Sequence, residues 1–297
     1  MKGNLLLISA GLLYGTIPIL ATLLGRCGIS TVEQMVIRLG LAVIIMAVGL
    51  AALGRRFFIF RNNDIIHIVL FGLFFIAVFF SMYMSAAVLT STAVAVLLLY
   101  IQPAITPFLA RLVLKEKIEP RSLAAVVLAL AGVVFILRVW DFDWGGFSFG
   151  HILGFLSGVF YAVYIIYMRI LVAVKKYDLS LVTFWTFVSG LVWMIPLWFV
   201  LDWLIPQPAI TAVNLSPSTD AWLLLVAFAV IPTILGYLAF NGGLKYVSSQ
   251  RAGVLIIVEP VGAVIMGALI LGQAIGFGEI VGGLLILSSV AVVSTGK

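Results

Sequence analysis

The sequence predicts an all-α membrane protein of ten transmembrane helices, arranged as two inverted five-helix repeats. Composition, the length of its apolar runs and an internal repeat each lead there. The 297 residues are 64% hydrophobic and only 9% charged, where a soluble domain carries roughly 25% charged residues. The apolar residues gather in ten long runs, and the second half of the chain repeats the first after five of them.

A fold of this length in water could not hide so much apolar surface, so the bilayer is the expected solvent. A spanning helix needs about 20 mostly apolar residues. The runs lie at about 4–24, 32–53, 65–88, 91–113, 121–139, 150–172, 179–204, 221–241, 251–271 and 277–295, numbered spans 1 to 10. They do not alternate apolar and polar residues with period two, as the strands of a barrel would. The first run reads as a span and not a removable leader. It is long, has no basic n-region beyond Lys2, and is followed by a second, polar-flanked span.

Charge sets the orientation. With the N-terminus in the cytoplasm, the inner segments hold Lys2, Arg55, Arg56, Arg61, Arg111, Lys115, Lys117, Arg121, Arg169, Lys175, Lys176, Lys245, Arg251 and Lys297. These are fourteen of the seventeen basic residues. Arg26 and Arg138 fall near outer ends, and Arg38 lies inside span 2. Lys and Arg stay on the cytoplasmic side during insertion, so both termini are expected there, in a multi-pass protein of the plasma membrane. Orientation thus accounts for the net charge of +6, and no nucleic-acid partner is expected. The outer loops carry acids and aromatics, as in Trp140, Asp141, Phe142, Asp143 and Trp144.

A shift of 157 residues lays spans 4 and 5 on spans 9 and 10. Ser91 meets Ser248, Ala95 meets Ala252, Leu98 meets Leu255, Pro103 meets Pro260, and Leu114 meets Leu271. A shift of 147 lays span 1 on span 6, pairing Gly3 with Gly150, Gly11 with Gly158 and Tyr14 with Tyr161. Five spans per copy is an odd number, so the second copy enters from the opposite side. Inverted repeats of this kind mark transporters with a central site that opens to either side. The expected units are 1–139 and 150–297, joined by an outer linker at 140–149.

Glu259 stands inside the apolar run from Ala252 to Leu271, directly before Pro260. A carboxylate at the helix centre costs roughly 2.5–3.5 kcal/mol on insertion scales, so it normally faces a cavity or a partner. Counting eight residues from Arg251 places Glu259 roughly 12 Å into the membrane, near the midplane. Desolvation there favours the neutral acid, the property a proton-coupling group needs. The alternative is a carboxyl that bonds a helix end or a hydroxyl and locks the packing.

Pro103 and Pro260 each remove one backbone donor and free the carbonyls of Leu99 and Ile256. Broken helices near a central site present such carbonyls to substrate or ion; a kink satisfied by a neighbouring hydroxyl or water is the other reading. Gln102 and Glu259 stand beside the two prolines in equivalent positions. Pro18, Pro107, Pro196 and Pro232 read as kinks. Arg38 should lie roughly 9 Å below the outer surface and Glu259 roughly 18 Å below it, so no direct pair is assumed. Glu33 is the expected neighbour of Arg38. Arg38 either binds an anionic substrate group bidentately or snorkels and bonds backbone.

Tyr14, Tyr83, Tyr100, Tyr161, Tyr164, Trp185, Tyr237 and Asn241 also lie within spans. Aromatic walls with a few polar tips suit an organic ligand, though packing and interface anchoring are the common uses of such residues. The substrate-binding set expected is Tyr14, Arg38, Tyr83, Tyr100, Gln102, Tyr161, Trp185, Asn241 and Glu259, with Glu259 also carrying proton coupling. Gly11 with Gly15, Gly150 with Gly154 and Gly158, and Gly278 with Gly282 recur at four-residue spacing, which allows close helix approach. Internal packing is the expected use, leaving a monomer or a weak homodimer. His67 and His151 sit at span ends. No His/Cys cluster has metal-ligand spacing, the lone Cys27 allows no internal disulfide, and neither a cofactor nor a catalytic residue is expected. The acceptor pattern Asn214, Leu215, Ser216 is followed at once by Pro217 and is discounted.

The run Gly242 to Ser249, followed by Ala252 to Leu255 and by Glu259-Pro260, resembles the EamA-type ten-helix exporters of the drug/metabolite transporter superfamily. So do its first-half counterpart, Ala93 to Pro103 with Lys115 to Ile118, the Tyr14-Gly15 pair and Arg38. The similarity covers essentially the whole chain. Three positions depart from the family pattern: Gln102 replaces a frequent glutamate before the proline, Gln273 the acid after span 9, and Tyr14 a tryptophan. The resemblance implies a bundle that moves small metabolites, often outward. The expectation is a secondary transporter of a small polar or amphipathic metabolite, with amino acids as the best single guess. It works by alternating access, lined by spans 1–4 and 6–9 and braced by spans 5 and 10. An intramembrane enzyme acting on a lipid-like substrate and a channel are the open alternatives. The first would show clustered acids or histidines, and the second would not saturate.

Overall fold

The computed structural model describes residues 1–54, 62–142, 146, 148–204, 212–214 and 217–295. Expectations that rest on Arg55, Arg56, Arg61, Asp143, Trp144, Ser216, Lys297 or the His67 side chain fall outside them. Among the described residues all regular elements are helical, and nine helices are long and apolar enough to cross a membrane. They are α1 (Lys2–Arg26), α2 (Thr31–Ala52), α3 (Ile68–Leu89), α4 (Thr92–Leu114), α6 (Phe149–Val174), α7 (Leu179–Trp203), α8 (Thr219–Gly243), α9 (Ser249–Leu271) and α10 (Phe277–Ser294). Between α4 and α6 lies a shorter apolar helix, α5 (Pro120–Ile136), of 17 residues. Its length is roughly 26 Å at 1.5 Å per residue.

Several helices are interrupted, and the chemistry of the interruption is visible in the chain. In α4 the regular helix stops at Leu99 and restarts at Gln102. Pro103 sits in the first turn of the restart, where its missing N–H costs nothing. In α9 the helix stops at Leu255, passes through a 3₁₀ turn at Ile256–Val258, and restarts at Glu259 with Pro260 in the same role. α1 is broken between Tyr14 and Ile17, ahead of Pro18. α3 and α8 each carry a stretch of wider π-helix, at Leu73–Val78 and Ala229–Leu235.

The 157-residue repeat therefore extends to backbone geometry. The breaks in α4 and α9 correspond, and the π stretches of α3 and α8 overlap under that shift. The helix ends correspond as well. α4 terminates on Lys115 with φ 57°, and α9 terminates on Gly272 with φ 66°, both left-handed. In each case the next N–H closes the helix end, from Glu116 to the Ala110 carbonyl and from Gln273 to the Gly267 carbonyl, both at 3.2 Å. Glycine takes this conformation freely, whereas at Lys115 it costs about 1–2 kcal/mol.

The small-residue spacings are used inside the chain. α5 and α10 pack lengthwise on each other, where a Cβ on Gly132 would stand 2.7 Å from the Gly282 carbonyl oxygen. Gly158 of α6 lies against the α4 break, and an added Cβ there would meet the carbonyl oxygens of Leu98 and Leu99 at 2.7 and 3.1 Å. Gly11 of α1 lies against the α9 break in the same way, 2.9 Å from the Ile256 carbonyl oxygen. Absence of a Cβ lets these helices approach backbone to backbone.

Candidate functional site

A cavity of about 110 Å³ lies among the interrupted helices. It is lined from α1 by Tyr14 and Ile17, from α2 by Arg38, and from α3 by Phe75, Phe79, Phe80 and Tyr83. Leu99 of α4, Tyr161 and Tyr164 of α6, Pro232 and Tyr237 of α8, and Glu259 of α9 complete it. Neither α5 nor α10 reaches the cavity. α7 stands one layer back, where Phe187 packs edge-on against Tyr237 at 5.1 Å.

Glu259 opens the second segment of α9 and is half-buried, with its side chain at the cavity wall. Tyr100, which ends the first segment of α4, is buried nearby. Tyr14, Tyr83, Tyr161 and Tyr237 line the same cavity as Glu259. The acid thus shares its cavity with phenols, whose hydroxyls can donate a hydrogen bond to the carboxylate or accept one from the neutral acid. Tyr14 and Tyr237 meet edge to face at 5.6 Å, and Tyr164 stacks on Phe240 at 5.9 Å.

Arg38 faces the same cavity and forms no ion pair with Glu259. The expected neighbour Glu33 is committed elsewhere. Glu33 caps its own helix by accepting from the Ser30 N–H at 3.3 Å, and it accepts from the Asn214 N–H at 3.0 Å. A five-residue spacing turns the two side chains away from each other on a helix. Arg38 instead lies over the rings of Phe80 and Phe228, at 5.0 and 4.7 Å.

Six of the nine expected binding residues are brought to the cavity or near it: Tyr14, Arg38, Tyr83, Tyr161 and Glu259 at the wall, and Tyr100 buried nearby. Three are not. Gln102 is fully buried, donates to the Gly253 carbonyl at 3.0 Å and accepts from the Thr106 hydroxyl at 3.1 Å, so it ties α4 to α9. Asn241 is fully buried too. It accepts from the Tyr164 hydroxyl at 2.9 Å and donates to Thr183 at 3.1 Å, fixing a cavity tyrosine from behind. Trp185 packs against Phe184 and the apolar cluster between α2 and α7. The carbonyls freed before Pro103 and Pro260 abut Gly158 and Gly11. The sequence reading missed Pro232 and the phenylalanines of α3. Only the density of aromatics from Phe71 to Phe80 hinted at them.

One end of the bundle is cross-linked by charge. The Glu116 carboxylate, just beyond α4, pairs with Arg169 of α6 at 2.7 Å and accepts from the Ser249 N–H at 3.1 Å. Arg169 also donates to the carbonyls of Leu244 and Val247. Arg251 pairs with Glu119 at 2.9 Å, and Gln250 donates to the Lys117 carbonyl at 2.7 Å. The loop after α4 is thereby fastened to the start of α9. At the opposite end Arg138 and Glu279 form a more exposed pair at 3.4 Å, and His151 caps the start of α6 through Ser148. Among the described residues no cluster of acids, histidines and cysteines could hold a metal.

Residues 1–138 and 148–295 each match the model of the EamA-like transporter family. An uncharacterized transporter of Archaeoglobus fulgidus is 28% identical over 210 residues, covering 71% of this chain and 70% of that protein. An uncharacterized transporter of Clostridium kluyveri is 22% identical over 287 residues, covering 95% and 89%. A solved crystal structure superposes over 99% of both chains with a TM-score of 0.80 at 19% identity, a likeness of fold.

Proposed function

The chain belongs to the EamA-like transporter family, and from that premise we propose that it is a secondary active transporter working by alternating access. It carries a small polar or amphipathic metabolite, an amino acid or a related compound, outward across the plasma membrane. The carrying observation is Glu259, an ionisable group at the wall of an aromatic cavity built from interrupted helices. A carboxyl that must be neutral to lose water and ionised to hold a cation links substrate movement to proton movement.

In this reading α5 crosses as well, making ten spans with both termini cytoplasmic. Units 1–139 and 150–297 are inverted repeats that rock about the cavity. Support comes from the breaks in α4 and α9 and from their equivalent left-handed ends, which recur with the 157-residue shift. The charge-linked end is then the cytoplasmic gate, closed here by Glu116, Arg169, Glu119 and Arg251. No feature of the cavity favours an enzyme or a channel.

Reconstitution into proteoliposomes tests this. Wild-type flux should saturate, show counterflow, and rise when the trans compartment is made acidic. Glu259→Gln should fold and lose the response to the proton gradient. Flux with unchanged pH dependence in that variant would remove Glu259 from coupling.

A further inference from the structure

We propose that Arg38 is the receptor for a single carboxylate, and that the cargo is a small monocarboxylate whose apolar part lies against the aromatic wall. This rests on the transporter reading above. Arg38 is only 3% exposed, yet it has no acidic partner among the described residues. Its Nη2 donates to the Met35 sulfur at 3.3 Å, and its Nε has no hydrogen-bond partner. A thioether is a weak acceptor, and a guanidinium offers five N–H donors. Most of that capacity is unspent at the wall of a cavity.

A buried cation without a counter-ion is costly. The rings of Phe80 and Phe228, at 5.0 and 4.7 Å, offset part of that cost through cation–π contact. Rings hold the cation without accepting its N–H donors, which stay largely unmatched. A guanidinium's edge of donors is the geometry that takes a carboxylate through two parallel hydrogen bonds. Tyr14 and Tyr237 line the same cavity and bring further hydroxyls to it.

Charge selects the class of anion. Among the described residues the cavity wall holds one guanidinium and no second Lys or Arg, while Glu259 contributes an acid. A phosphate dianion would lack its second cation and meet the Glu259 carboxylate. A monocarboxylate is neutralised by Arg38 alone. An ammonium on the same molecule has Glu259 to face, so amino acids and amine-free carboxylates share the recognised group and differ only at Glu259.

Binding to purified protein in nanodiscs separates these cases, read by thermal shift and titration. The probes are the standard amino acids and short monocarboxylates, each compared with its carboxamide and its decarboxylated amine. Acids should bind. Their amides and amines should bind roughly 30-fold more weakly or not at all. Loss of binding on removing the amine as well assigns a zwitterion, and its retention assigns a simple carboxylate. Arg38→Lys should lose most of the affinity, because an ammonium cannot reproduce the fork. Phe228→Leu should lose less. If Arg38→Gln fails to fold, discrimination between acid and amide by the wild-type protein decides. Equal binding of acids and amides, no carboxylate ligand in the panel, or a folded Arg38→Gln that binds like wild type overturns the assignment. A carboxylate that binds and is never carried sinks the transport reading but leaves the receptor standing.

Discussion

α4 and α9 have the same skeleton and opposite uses. Both stop one turn before a proline and restart with it in the first turn. Both press a break carbonyl against a glycine, and both end on a left-handed residue. The residue before the proline differs. In α9 it is Glu259, at the cavity wall; in α4 it is Gln102, which bonds the Gly253 backbone and Thr106. The residue after the left-handed position differs too. Glu116 reaches out to Arg169 and Ser249, whereas the Gln273 amide lies over Gly267 of its own helix. The difference teaches that geometry was kept in duplicate while each ionic function was kept in one copy. α9 holds the deep acid, and α4 holds the acid that fastens one end.

The largest effect should come from exchanging the two polar residues. Glu259→Gln makes α9 resemble α4 and should abolish proton-driven flux, measured as loss of uptake in response to an imposed pH gradient. The sign is fixed by the coupling: outward movement should be fastest with the outer face acidic and should collapse with a protonophore. Adding Gln102→Glu to that variant should not restore coupling. The new acid would replace an amide that donates to the Gly253 carbonyl, so it would face an acceptor away from the cavity. Restored coupling in the double variant would make the two positions interchangeable and erase the asymmetry.

Removing the acid of α4 should come next. Glu116→Ala leaves Arg169 with only the Leu244 and Val247 carbonyls and strips the Ser249 N–H of its acceptor. A fully buried pair costs roughly 3–5 kcal/mol to break, and this one is partly exposed, so about 2 kcal/mol of stability is expected to be lost. A lowered melting temperature, partly recovered by high salt screening the stranded cation, is the signature. An unchanged melting temperature would reduce the cross-link to decoration.

Much of this asymmetry was open to sequence reasoning, and the limits have physical causes. The all-helical class and the break positions follow from composition and from two prolines that forbid a continuous ladder, so α4 and α9 were legible as a pair. Glu259 was legible because lipid penalises charge. The turning of Gln102 into the protein was not, since an amide is content with either a cavity or a backbone carbonyl and only packing decides. The π stretches of α3 and α8 were not legible because, Pro232 aside, no residue in them marks a wider turn. Trp185 misled because an aromatic in a span reads the same whether it lines a cavity or a core.

A smaller loss is expected at Gln102. Gln102→Leu removes the donor to Gly253 and an acceptor for Thr106 without altering volume much. Leaving one buried carbonyl unmatched costs about 1–3 kcal/mol. Flux per folded molecule should be unchanged. A fall in turnover without a fall in melting temperature would instead put Gln102 in the transport path, on equal terms with Glu259.

The smallest effect should be at Gln273, the partner of Glu116 in the repeat. Its side chain stays on its own helix, and the structure gives it no ion pair and no cross-link to the other half. The backbone bond that closes α9, from the Gln273 N–H to the Gly267 carbonyl, survives any side-chain change. Gln273→Ala should therefore shift stability by no more than about 0.5 kcal/mol, the range of ordinary surface substitutions. The informative comparison is with Glu116→Ala under identical conditions, read as melting temperature in the same detergent. A Gln273→Ala loss as large as that of Glu116→Ala would mean that this end, too, is held by its side chain after the left-handed turn. The two ends would then be fastened alike, and confining the lock to one copy would be wrong.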